Sequence, residues 1–472
     1  MTAQVAPDGT RITNTYDAAG RQTAVQDQLG NRTTFTYNAR GESTVTTDAL
    51  GNKTSYGYDS TGNMVTLTTA RGFVTTTTYD AIGQPTVVQN ALGHRTTNTF
   101  DAIGQQTVIQ DPLGGLTTMV YDAVGQMSSI TNQIGKVTNH TYNGAGQNVT
   151  RQLPNGDVTT YSYNANGQET GRLYPDGSRV TFQYDSVGNT TTMSDSTGTT
   201  TYAYDAAGRL SGKTDPGPLV QAYTYDAAGQ RKTLTDPDGK VRTYSYDVNG
   251  RLSKFTSPSG KVSTYQYDAA GNETTLMLGD ARITEVSAYD ALGQLTAKTV
   301  TNPFADTNRI TLTYDSVGNP TVRQEMFNTF IRTYTYDALD RPVTVVNSGS
   351  WNATQTFTYD ASGNRTYGNE QGPTDYTFNL AGQVTLMSRE GALVTHAYDD
   401  NGNLTKVQGR LYSVNPGTVT MSYDYENRMT RHELGSVVTT YTYSGDGLKR
   451  SEREGSEVTT LVWDGSDYLG EV

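Results

Sequence analysis

The chain has 472 residues, no cysteine and a net charge of −12, which excludes disulfides and thiol chemistry and, with no Lys/Arg cluster, makes nucleic acid and anionic membrane surfaces poor partners. No run of 18 apolar residues is present, so no spanning helix is expected, and Met1 to Thr10 lacks the basic and apolar regions of a signal peptide. Leu, Ile, Val and Phe make up only 82 residues, but 33 Tyr and 49 Gly recur in strict register, which argues for a wide single-layer sheet with little core rather than for disorder.

In chain order, the first element is a partial one. Pro7-Asp8-Gly9-Thr10 fits the second half of a repeat whose next copy begins at Tyr16, so the chain is expected to start inside a repeat. Tyr-Asp or a close variant then falls at Tyr16-Asp17, Tyr37, Tyr58-Asp59, Tyr79-Asp80, Phe100, Tyr121-Asp122, Tyr142, Tyr163 and Tyr184-Asp185, every gap being 21 residues. It continues at Tyr204, Tyr225-Asp226, Tyr246-Asp247 and Tyr267-Asp268, with one gap of 20 and three of 21. Residues 1–267 therefore form a regular array. Residues 268–443 form an irregular one, with Tyr289, Tyr314, Tyr336, Tyr359, Phe378, Tyr398, Tyr423 and Tyr443 at gaps of 19 to 25. That makes 21 copies; residues 444–472 hold a degenerate stretch in which Trp463 stands where a further aromatic would be.

The copy from Tyr16 to Tyr37 reads YDAAGRQTAVQDQLGNRTTFTY. Gly20 and Gly30 each open a G-x-x-T, so each repeat has two halves, and each half is a turn followed by a strand. The turns are rich in Asp, Asn, Gly and Ala, which tolerate or require positive φ. The segments between them, such as Gln22 to Gln26 and Arg32 to Tyr37, are rich in β-branched and aromatic residues. Thr33, Phe35 and Tyr37 share one parity and so one face. No 3.6-residue period exists, and the Thr and Gly content opposes helix. The prediction is an all-β antiparallel meander of about 21 hairpins. In it, each Tyr packs across the sheet and each Asp caps its turn; Tyr as a sugar-stacking surface is the alternative.

The Y-D-x-x-G-x-x-x…G-x-x-T-x-x-x-Y-D pattern resembles the YD or Rhs repeat. That family includes bacterial Rhs polymorphic toxins, the B and C components of insecticidal toxin complexes, wall-associated proteins and animal teneurins. The resemblance implies a long β-strip that spirals into a hollow shell, which in toxin members encloses a C-terminal effector. The Tyr441 to Arg450 segment resembles the lead into the Rhs-associated core. That core's proline- and glycine-rich motif and self-cleaving aspartates have no counterpart here. About 42 strands at about 4.8 Å give a strip roughly 200 Å long, and segments of about seven residues make it roughly 23 Å wide. Around a cavity assumed to be about 50 Å across, one turn takes about 160 Å at that spacing. The expectation is thus an open spiral or partial hollow barrel with exposed ends. Its partners would be missing N- and C-terminal parts of the same protein, or an effector polypeptide, and its place secreted or at the cell surface.

Chemistry-bearing residues are sparse. His94, His140, His396 and His432 stand at no metal-ligand spacing, and no cofactor or metal is expected. Asp236-Pro-Asp-Gly239 lacks the further ligands of a calcium loop and reads as a turn. Carboxylates recur at every turn with no distinct domain to single out a catalytic pair, G-x-S-x-G is absent, and no phosphate loop joins a strand to a helix. The Asn-x-Thr sequons at Asn31, Asn52 and Asn364 are what a Thr- and Asn-rich chain produces. The insertions Asn302-Pro-Phe-Ala-Asp-Thr307 and Asn347-Ser-Gly-Ser-Trp-Asn352 are the best candidates for a binding loop, against simple decay of the repeat. The expected function is a non-catalytic shell segment; the alternative is a surface adhesion module binding carbohydrate or a partner protein.

Overall fold

The computed structural model describes residues 2–279, 282–303, 305–327, 329–349, 352–409 and 417–471. These contain 45 strands, from Thr2–Val5 to Asp467–Glu471, and no helix. The chain divides into two compact units. One comprises Met1–Thr97, Tyr225–Thr233 and Val241–Thr358; the other comprises Asn98–Thr224, Leu234–Lys240 and Tyr359–Val472. Within each, strands adjacent in sequence pair antiparallel, as a meander without crossovers.

The period of 21 has a simple origin. Strand Arg32–Tyr37 has six residues, Ser43–Thr47 has five, and the turns 38–42 and 48–52 have five each. These strands are shorter than the seven-residue segments expected, so the strip here is narrower, about 17–20 Å, while Ile283–Tyr289 and many later strands have seven residues or more. The two hairpins of a repeat differ. Across the Tyr-Asp turn, Thr36 faces Val45 and Tyr37 faces Ser43, so Thr44 is an extra, bulged residue. Across the second turn the register is unbroken, with Val45 opposite Ser55 and Thr47 opposite Lys53. The bulge recurs at Tyr16, Tyr58, Tyr79, Tyr121, Tyr184, Tyr246 and Tyr267. The extra residue sits on the five-residue strand, so four of its residues, Ser43, Val45, Thr46 and Thr47, face the six-residue strand across this turn.

Both turns share one geometry, a type I turn closed by a residue in the left-handed region. In the first, the Gly41 amide donates to the Asn38 carbonyl at 3.1 Å and the Asn38 amide donates to the Glu42 carbonyl at 3.0 Å. Gly41 has φ +89° and Gly51 +88°. Where glycine is missing at this place the residue is Asp340 (φ +61°) or Asn427 (φ +60°), the side chains that tolerate that region best.

Few side chains are fully buried, as a single layer requires. Some gather in a cluster in the second unit, where Tyr174, Val180 and Met193 are buried and Phe182, Tyr202 and Tyr425 pack against them. The cluster lies where early hairpins meet late ones, and in both units the strip returns to touch itself after 235 to 275 residues. That is about twelve repeats of 21 residues.

Candidate functional site

The repeated Tyr-Asp unit is built outward from its aspartate. Asp17 Oδ1 accepts from the amides of Ala19 and Arg21, and Oδ2 accepts from Arg21 Nε at 2.7 Å. Asp59, Asp80, Asp122, Asp185, Asp226, Asp247 and Asp268 cap their own turns in the same way. Those bonds favour the ionised form. The amide and guanidinium of Arg21 hold Asp17 below the ordinary carboxylate range, and the Asn189 side chain does so for Asp185.

The tyrosine does more than pack. Tyr37 Oη donates to the Gln22 carbonyl at 2.6 Å, Tyr58 to Ser43 at 2.9 Å, Tyr79 to Met64 at 2.9 Å and Tyr121 to Gln106 at 2.8 Å. Tyr184, Tyr246 and Tyr267 reach Glu169, Arg231 and Leu252 likewise. The acceptors Gln22, Ser43 and Met64 each stand just before the bulged residue, opposite the tyrosine of the preceding repeat. The hydroxyl thus stitches each repeat to the one before it. Tyr16 stands apart, more exposed, its hydroxyl 3.5 Å from Thr2 Oγ1. Trp463 takes up the same role at the chain's end. Its indole N–H donates to the Lys449 carbonyl at 2.7 Å, and the register shifts beside it as at a tyrosine.

The sequence reading missed this donor. Its signal was available: 19 of the 21 copies choose Tyr and only Phe100 and Phe378 lack the hydroxyl. A second link was missed too. When arginine follows the turn's left-handed residue, as at Arg21, Arg251 and Arg428, it pairs with its own Asp and lies over the next repeat's ring. Arg21 sits 5.0 Å from the Tyr37 centroid, Arg251 4.7 Å from Tyr267 and Arg428 5.0 Å from Tyr443.

The return contacts follow a rule. Second-half turns of early hairpins meet Tyr-Asp turns of late ones. In the first unit, the Asp8 amide donates to Asn249 Oδ1 at 3.1 Å. There too, Arg71 donates to the carbonyls of Tyr336 and Asp337 at 3.1 and 3.0 Å and pairs with Asp340. In the second unit, Lys136 pairs with Asp400, and Arg151 with Glu426 at 2.9 Å. Tyr174 stacks on Tyr425 with ring centroids 5.8 Å apart; burial pushes the Tyr174 hydroxyl up to about 12. Arg172 donates to the Gly445 carbonyl, and the Gly445 amide donates to Asp195 Oδ2 at 2.7 Å. A Cβ on Gly445 would strike Val180 Cγ1 and Met193, so the approach needs glycine there. Further along, Asp215 lies buried between Lys213 and Arg450, at 2.9 and 2.7 Å, and Arg450 also donates to Thr200 Oγ1.

The remaining candidates resolve as follows. Asp236 caps its own turn, accepting from the Asp238 and Lys240 amides, while Asp238 pairs with Lys240. The sequon amides Asn31, Asn52 and Asn364 donate to Asp27, Asp48 and Asp360 inside their turns. His140 Nδ1 lies 2.8 Å from Asn148, and among the described residues no group of three or more His, Asp or Glu side chains is placed to hold a metal. Of the two inserted loops, Phe304, Ser350 and Trp351 lie outside the described residues.

A chain of hairpins, most capped by their own Asp or Asn and bonded to a neighbour by a Tyr hydroxyl, defines an antiparallel hairpin-repeat protein. The RHS repeat family model matches residues 16–53, 43–76, 142–179, 184–218, 225–254 and 246–278, so these segments are Rhs repeats. No curated protein matches the sequence. Among solved structures, TcdB2-TccC3 superposes with a TM-score of 0.65 at 18% identity, covering 97% of this chain and 28% of its own. Its complex with Cdc42 gives 0.64 at 18% over 96% of this chain. The Photorhabdus luminescens Tc holotoxin pore gives 0.62 at 18% over 97%. At this identity the likeness establishes the fold, and the chain spans about 28% of the length of the chains it matches.

Proposed function

We propose that the chain is a non-catalytic wall segment of an Rhs-type shell, whose larger parent encloses or presents an effector polypeptide outside the producing cell. The observation that carries this is the return contact. In each unit a strip of hairpins comes back upon itself and is fastened turn to turn, as a wall built from a ribbon must be. The fold shared with TcdB2-TccC3 supports the same reading. The residues Tyr16, Asp17, Gly20, Tyr37 and their counterparts then serve as mortar between hairpins, not as a binding surface. The alternative, an adhesion module, draws on tyrosine rows; but most of those hydroxyls already bond a neighbouring carbonyl.

A glycan array separates the two. The wall reading expects no retention on any sugar, and saturable binding to one would overturn it in favour of adhesion. The reading frame gives a second test: a self-cleaving core and variable domain encoded beyond Val472 would support the shell, and a wall-anchoring tail would contradict it.

A further inference from the structure

One backbone acceptor is used by arginine again and again. The carbonyl of the residue after the repeat tyrosine takes the amide of its own turn's left-handed residue and keeps one lone pair to spare. In several copies a guanidinium takes that lone pair. Arg21, Arg251 and Arg428 donate to the carbonyls of Asn38, Asp268 and Ser444 at 3.2, 3.1 and 3.0 Å, each lying over the ring of the tyrosine just before that carbonyl. Arg40 reaches the Asp59 carbonyl from one place before its own turn glycine. Arg71 reaches the Asp337 carbonyl at 3.0 Å from 266 residues away. Three chain origins converge on one seat, so the seat itself selects the guanidinium. Covering a strip's edge neither makes nor removes it: Arg428 fills the seat of the Tyr443 turn while Gly445 of that turn is engaged in the return contact.

Four consecutive copies in the second unit have the same carbonyl and ring but glutamine in the arginine's place. The carbonyls of Asp122, Asn143, Asn164 and Asp185 accept their own turn glycine amides at 3.0 to 3.2 Å, and among the described residues no arginine donates to them. Where Arg21 stands in its copy, these have Gln105, Gln126, Gln147 and Gln168. Gln105, Gln147 and Gln168 turn instead to the carbonyls of Gly125, Gly167 and Gly188. The seats recur every second strand, about 9.6 Å apart. A polyproline II chain has three residues per turn and points every third side chain the same way, about 9.3 Å apart. We infer that this row takes a polyproline II segment of a partner polypeptide with arginine at every third residue, one arginine per seat. The chain's net charge of −12 favours a basic segment. Bonding between repeats is compatible with this, as Tyr37 shows: its hydroxyl bonds Gln22 while Arg21 lies over its ring. The inference stands apart from the shell reading, since it concerns only what this row recognises.

Fluorescence anisotropy on the full chain tests it with a labelled peptide of four Arg-Pro-Pro units. Two control peptides keep the charge. One has lysine for each arginine and so lacks the planar fork; the other groups the four arginines together ahead of the prolines. The spaced arginine peptide should bind about tenfold more tightly than either control. Filling the seats from inside should block it. Gln126→Arg with Gln147→Arg puts arginine where Arg21, Arg251 and Arg428 stand in their own copies, a place the hairpin already accepts. This variant should bind the peptide about tenfold more weakly than the wild type. Gln126→Lys with Gln147→Lys adds the same charge without the fork and should weaken binding far less. Absence of saturable binding up to about 1 mM overturns the inference. So does equal binding of the lysine or grouped peptide, or an equal loss in the arginine and lysine variants.

Discussion

At the scale of single residues, most copies rest on one donor and one acceptor, the tyrosine hydroxyl and the capping side-chain oxygen. Tyr58→Phe keeps the ring and deletes the bond to the Ser43 carbonyl. A loss of about 0.5–1.5 kcal/mol is expected, seen as faster amide exchange in residues 43–58 with little change elsewhere. The aspartates set the acid limit. Asp17, Asp185 and Asp205 are held below the usual carboxylate range chiefly by bonds from Arg21, Asn189 and Arg209. A carboxylate whose folded pKa is depressed adds stability above its unfolded value, about 3.9, and loses it as pH falls toward the folded one. Burial depresses His140 and His396, which act with the same sign from about pH 6.5 downward. Thermal melts should therefore show a slight decline below about pH 6.5 and a steep one below about pH 4; greater stability in acid would contradict the capping account. The Tyr-Asp pair was legible from its spacing alone. The hydroxyl's acceptor was not, because it is a backbone carbonyl, usually 14 to 16 residues back, and carries no side-chain signature.

At the scale of elements, the hairpin is fixed by where glycine stands and by what the extra strand residue does. Gly51 has φ +88° with open space around its Cα, so a side chain there meets strain without a clash. Gly51→Val should cost about 1–3 kcal/mol and Gly51→Asn clearly less, as read from denaturant midpoints. Turn positions were legible because Asp, Asn and Gly mark them by type. The bulge was not, since it is a property of pairing: Thr44 is left over because Tyr37 faces Ser43 while Thr36 faces Val45, not by its own chemistry. Packing is equally uneven. Met193 is buried in the second unit's cluster, whereas Met64 is exposed at the start of its strand. Met193→Ala should cost about 2–5 kcal/mol, and the same change at Met64 should fall within about 0.5 kcal/mol.

At the scale of the whole molecule, what matters is which hairpins meet after some 250 residues. Asp215 stands between two cations, one of them, Arg450, 235 residues away. Asp215→Asn leaves Lys213 and Arg450 buried without compensation and should destabilise by about 3–5 kcal/mol. Lys240→Ala, which breaks an exposed pair with Asp238, should cost no more than about 1 kcal/mol. Equilibrium unfolding of the two variants makes the comparison; equal effects would mean that the return contact bears no load. Composition and spacing alone carried the all-β class, the period, the placing of turns and the likeness to Rhs repeats. All of these follow from local preferences that each copy repeats. Only the tertiary structure decided that Arg71 meets Asp340, that Tyr174 stacks on Tyr425, and that Gly445 must be glycine. The residues making these contacts are the same Asp, Asn, Arg and Gly that every turn uses for itself. Which of them meet is set by the twist accumulated over about twelve hairpin pairs, and no single repeat carries that information.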